Sequence, residues 1–173
     1  MTRTLPPLLP VVARWLHAVS LALWLGGLVA IGALVAPTTF HVTRTAPAFA
    51  GNLPVQNAIA GAVVGGSLHL FTYVCYAAGV LLLLSNALLL PRAERRWTIA
   101  CFLTSAALLA SALYLGLSLT PALDAAQKAG DLTTFDRLHH WYEAVSSYFQ
   151  LPLLLVLALF GALRDTPEAH RTV

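Results

Sequence analysis

The stretch "VVARWLHAVSLALWLGGLVAIGALV", residues 11–35, is 25 positions long and carries one formally charged side chain, Arg14. About 20 apolar residues wound as a helix cross about 30 Å of hydrocarbon. A surface helix of a soluble domain is instead apolar along a single stripe. Three more blocks of this kind follow, and the expected spans are 11–35, 62–90, 97–119 and 138–163. Pro37, Pro91 and Pro121 are expected to close the first three. The apolar run before Pro91 exceeds thirty residues, so that span must tilt or begin outside the hydrocarbon.

Backbone groups in lipid must pair within the protein, which leaves helices or a closed barrel. Barrel strands alternate over about ten residues, and these continuous runs do not. The fold class is therefore an all-α integral membrane protein, one domain over 1–173. Its architecture is expected to be an antiparallel, up-down-up-down four-helix transmembrane bundle. Composition agrees: charged residues make up 10% of the chain, against about 25% in soluble domains.

Lys and Arg fall unevenly about the spans. Arg3, Arg14, Arg92, Arg95, Arg96, Arg164 and Arg171 lie on one side, and Arg44, Lys128 and Arg137 on the other. The positive-inside rule then places both termini in the cytoplasm, in a bacterial inner membrane. The formal charge of +3 is explained by this placement and calls for no nucleic acid. The bilayer is the partner the sequence implies. The first block is longer than the apolar region of a signal peptide, and the Ala48-Phe49-Ala50 triplet lies well beyond it, so a retained helix is expected. Cys75 and Cys101 sit inside apolar blocks without a Cys-x-x-Cys pattern and are expected to be buried thiols. The outer 120–137 connection is expected to hold a short interfacial helix, and the 38–57 connection to be irregular.

"RLHHWYE", residues 137–143, opens the last apolar block with two histidines and a glutamate. At 1.5 Å per residue, His69 stands about 33 Å from Pro91 and His139 about 37 Å from Arg164. The second and fourth spans both run from the outer to the inner side, which brings both histidines to the outer end at one height. His17 lies one turn beyond Arg14, a membrane's thickness away, and cannot share a mononuclear site with His69. His139, Glu143, Ser146 or Ser147, and Gln150 share one helical face. His69, Thr72 or Tyr73, and Tyr76 share another. Polar stripes in so apolar a chain suggest a pocket, because charged groups are costly in hydrocarbon.

Neutral imidazole suits haem iron, copper and other transition metals. Opposed His69 and His139 can clamp a haem b, with Tyr73, Tyr142 and Glu143 around it and Gly65, Gly66 or Gly79 making room. A metal ion would instead use His69, His139 and Glu143, with His140 less well placed on the helix face; His41 lies in the outer connection. Gly61, Gly65, Gly26 and Gly27 are expected to allow close helix contact. Asn86 is expected to bond across helices, with His17 as one candidate.

"RWLHAVSLALWLGGLVAIGALVAPTTF", "AIAGAVVGG" and "FDRLHHWYEAVS" resemble the bacterial four-span family of unknown function related to eukaryotic transmembrane protein 205. That resemblance covers residues 11–163 and implies the same four spans. The first-helix phrase carried by His17, Trp24, Gly26 and Gly27 is also similar to copper resistance protein D, which implies copper handling. No Ser-His-Asp order, Gly-x-Ser-x-Gly or His-Glu-x-x-His pattern points to an enzyme. The leading expectation is a haem b electron carrier with a redox partner or a second copy. The alternatives are a copper or small-solute transport or resistance protein, and a structural accessory subunit.

Overall fold

The computed structural model describes residues 8–90 and 95–165. The expected stop at Pro91, most of the 92–96 turn, and Arg3, Arg92 and Arg171 lie outside them. The described residues are all-helical, in four long apolar helices: α1 (Leu8–Thr45), α2 (Leu53–Leu89), α3 (Arg95–Ala129) and α4 (Leu132–Leu163). They hold 38, 37, 35 and 32 residues, about 48–57 Å of helix against about 30 Å of hydrocarbon. Each is long and apolar enough to cross a membrane.

The prolines do not end these helices. α1 runs through Pro37 to Thr45, α3 through Pro121 to Ala129, and α4 through Pro152. In each, a π-helical segment ends two residues before the proline: Ala30–Val35, Leu115–Leu119 and Val145–Gln150. A proline lacks the N–H for the helical ladder, and its ring collides with the carbonyl four residues back. A wider π turn opens the ladder where that carbonyl sits, and the helix continues past the proline.

The 38–57 and 120–137 connections consequently shrink. The expected irregular 38–57 segment is helical to Thr45, makes a 3-10 turn at Pro47–Phe49 and restarts at Leu53. Asn52 caps the restart by accepting the Val55 N–H at 3.3 Å, and Gln56 Nε2 donates to the Phe49 carbonyl at 2.8 Å. In place of a separate interfacial helix, residues 120–129 extend α3 and residues from Leu132 begin α4.

Only Gly130 and Asp131 join α3 to α4. Gly130 takes φ +70°, which a glycine adopts without a Cβ penalty. Its N–H donates to Gln127 O and that of Asp131 to Ala126 O, the pairing that satisfies a helix C-terminus at a left-handed cap. Asp131 then caps α4, accepting the Thr134 N–H at 3.0 Å. That bond holds its carboxyl below the ordinary carboxylate range. The cap therefore contributes stability above the unfolded carboxyl pKa and loses it as pH falls through the lower, folded pKa. Protection factors at the Leu132–Phe135 amides, taken relative to intrinsic exchange at each pH, are expected to fall over that acid window. Asp131→Asn, which still accepts the bond, should keep them level.

Cross-helix contacts give the packing. Gly27 meets Phe71, and Gly79 meets both Leu109 and Trp24; Gly116 meets Tyr76 and Thr72, while Gly161 meets His17. Asn86 Nδ2 donates to Ser105 Oγ at 3.0 Å, and Gln150 Nε2 donates to Ser111 Oγ at 3.0 Å. Trp97 packs on Phe160. The core joins Trp24 of α1, Leu82 of α2, Leu108 of α3, and Leu154 and Leu157 of α4, all fully buried. Gly27 meets the expectation of close helix contact, whereas Gly26, Gly61 and Gly65 face open space. The missing Cβ at those three positions therefore serves no close helix approach. Cys75 and Cys101 are buried and are not joined in a disulfide.

Candidate functional site

Two polar sets flank the packed middle. On one side lie His17, Ser20, Ser85, Asn86, Thr98 and Ser105, all buried. His17 sits against Gly161, whose added Cβ would lie 3.1 Å from Nε2. Asn86 finds its cross-helix partner in Ser105, which in turn donates to the Cys101 carbonyl at 2.7 Å. Ser20 Oγ and Trp24 Nε1 are buried with no hydrogen-bond partner among the described residues.

On the other side lie the candidate ligands. Tyr142 of α4 lies near Thr72, Cys75 and Tyr76 of α2. Thr72 Oγ1 donates to the Leu68 carbonyl of its own helix at 2.9 Å. His69 stands three residues before Thr72 and His139 three residues before Tyr142, about one helical turn in each case. The two imidazoles therefore stand one turn from the place where α2 and α4 approach each other.

Each imidazole is exposed and engaged within its own helix. His69 Nε2 is 3.5 Å from the Tyr73 hydroxyl. His139 Nε2 is 3.3 Å from Glu143 Oε1, and its ring stacks on Phe135. His140 points elsewhere and donates Nδ1–H to the Asp136 carbonyl at 2.8 Å. That tautomer leaves Nε2 with its lone pair. Tyr73, Glu143 and His140 are exposed, and Tyr142 is half-buried. No group of three or more His, Cys, Asp or Glu stands together as a metal site among the described residues; the set His69, His139, Glu143 and His140 is not assembled as one. Gly65 and Gly66 border open space, but Gly79 does not: a Cβ there would lie 2.8 Å from Leu109 Cδ1. The room expected beside Gly79 is filled by Leu109 and Trp24.

The polar face that holds Gln150 is legible in the sequence, but the α3 residues that receive Gln150 and Trp141 are not. Ser111 and Tyr114 of α3 receive Gln150 Nε2 and Trp141 Nε1, each at 3.0 Å. The available signal was an isolated Ser or Tyr inside an apolar block, with no periodicity to mark it.

A family profile described as a domain of unknown function, DUF4149, matches residues 19–131. The chain belongs to the DUF4149 family. The match runs from Val19 through the turn that precedes α4. It includes Ser20, Trp24, His69, Thr72 and Asn86, while His139, Tyr142 and Glu143 lie beyond it. No curated protein and no solved structure matches this DUF4149 chain. The family description carries no reaction, so any function rests on the chain's own residues.

Proposed function

We propose that this DUF4149 protein is a multi-pass protein of a bacterial inner membrane, an up-down-up-down bundle with both termini in the cytoplasm. We further propose that it holds a b-type haem between His69 and His139 at its outer end. The insertion reading is supported by four helices of crossing length and by cross-helix contacts whose numbering falls in one helix as it rises in the next. The haem reading is carried by one observation: Tyr142 of α4 lies near Thr72 of α2, one turn from His139 and His69 respectively on two different helices.

Ligand number favours haem over a bare ion. A zinc-type site needs three or four protein donors close together, and no such group stands among the described residues. A haem iron with two axial imidazoles needs only one donor from each helix. The donors fit in kind. Both rings must turn from Tyr73 and Glu143 to ligate, and their exposure leaves them room to do so. Glu143 and Tyr73 would then hold the imidazole N–H groups or the propionates, and Tyr142 would keep the helices in register. Bound haem would supply one-electron chemistry, used with a redox partner or a second copy.

Copper or small-solute transport through a single copy has less support, because the fully buried layer of Trp24, Leu82, Leu108, Leu154 and Leu157 separates the outer polar set from His17 and Asn86. An accessory role needs no site and is the reading left if the test fails. The protein, expressed with haem supplied and purified in detergent, is expected to show a Soret band with the spectrum of two imidazole ligands. His69→Ala and His139→Ala should each abolish that spectrum, while His140→Ala leaves it intact. A wild-type protein without a Soret band, or a band that survives the double alanine variant, overturns the assignment.

A further inference from the structure

A second site lies on the α3–α4 side, away from the His69 face. Two open clefts of about 490 Å³ each meet at Trp141, within the range of about 300–1,000 Å³ typical of small-molecule clefts. The first is lined by Arg137, Leu138, His140 and Trp141. The second runs from Trp141 past Tyr114, Ser111 and Tyr148 to Phe149. Its walls are the π-helical segment Val145–Gln150 of α4 and the stretch of α3 that precedes Leu115–Leu119. The hydrogen bond from Trp141 Nε1 to Tyr114 OH fixes the point where the clefts join.

We infer that this joined groove binds a phospholipid with an anionic headgroup, its phosphate at Arg137 and one acyl chain laid along Trp141, Tyr148 and Phe149. Three features point to that occupant. Polarity runs from charged to apolar along one line, as in a lipid. Arg137 to Phe149 is 12 residues, or about 18 Å of helix. That is one leaflet of a bilayer whose hydrocarbon is about 30 Å thick, with its headgroup level added. The cationic end also has the right chemistry: Arg137 offers a planar fork of donors suited to phosphate. Trp141 and Tyr114 lie where amphipathic aromatic rings collect at a membrane surface. His140 is less available, because Asp136 already takes its Nδ1–H, with Asp136 Oδ1 3.6 Å away. Arg137 therefore carries the headgroup selectivity.

The site requires the bundle to sit in a bilayer and does not depend on haem. The full chain is reconstituted in phosphatidylcholine nanodiscs containing one-tenth of a lipid with brominated acyl chains, which quench nearby tryptophan. Brominated phosphatidylglycerol is expected to quench more than brominated phosphatidylcholine, with an apparent preference of about fivefold from one Arg at the membrane surface. Trp141→Phe should remove the excess, Arg137→Gln should abolish the headgroup preference, and Arg137→Lys should keep part of it. Equal quenching by the two headgroups, or an excess that survives Trp141→Phe, overturns the site. Quenching of the exposed Trp15 by brominated phosphatidylcholine reports insertion itself, so failure to insert is distinguished from failure to bind.

Discussion

Gly116→Val is expected to lower the thermal unfolding midpoint of the detergent-solubilised protein well below the midpoints of Gly65→Ala and Gly66→Ala. A Cβ at this position runs into the Tyr76 hydroxyl and would lie 2.6 Å from Thr72 Cγ2 and 3.0 Å from Tyr76 Cζ. Neither neighbour can retreat freely. Tyr76 is a half-buried ring, and Thr72 is tied to the Leu68 carbonyl. Overpacking of this kind costs about 1–3 kcal/mol. The damage should also spread to α4, because Tyr142 lies near both Thr72 and Tyr76. Gly65→Ala and Gly66→Ala are the controls. Both glycines border open space, and alanine is the better helix former by about 1 kcal/mol. Their midpoints should stay level or rise. A Gly116→Val protein with a wild-type midpoint would mean that α2 and α3 do not meet at this glycine.

The same residues show what was legible in the sequence and what was not. Four long helices followed from four apolar runs, and the His139–Glu143 and His69–Tyr73 pairs followed from four-residue spacing. Helix lengths did not. Pro37 and Pro121 read as stops because proline breaks the local ladder, yet a π turn just before each absorbs that break. Nothing in the apolar pattern announces a π turn. Which face looks inward was also hidden. In a soluble helix the apolar stripe marks the core, but here the exposed surface is equally apolar, so Leu70 on the outside and Leu82 in the core carry the same signal. Only packing separates them. That is why Gly27 was recognised as a contact point, while Gly116 and Gly161 were passed over and Gly61 and Gly65 were credited with neighbours they lack.

Leu108→Ala should supply the second large effect, and comparison with Leu70→Ala gives it meaning. Leu108 is fully buried beside Trp24, Leu82, Leu154 and Leu157, whereas Leu70 is 70% exposed. In water, truncating a buried leucine costs about 2–5 kcal/mol, part of it transfer from water and part the cavity left behind. Within a bilayer the transfer part shrinks, since lipid tails are as apolar as the core. The lost dispersion contacts around the cavity remain, so Leu108→Ala should fall near the low end, about 2 kcal/mol. Leu70→Ala, trading one lipid contact for another, should change little. The measurement is the denaturant midpoint of each variant in mixed micelles. A clear gap between the two supports a solid middle layer in each copy, and with it a protein that works at its outer surface rather than passing solute through itself. Equal and small effects would mean that the layer is loosely packed in the membrane, and a route joining His69 and His139 to Asn86 and His17 through the interior would become the better reading.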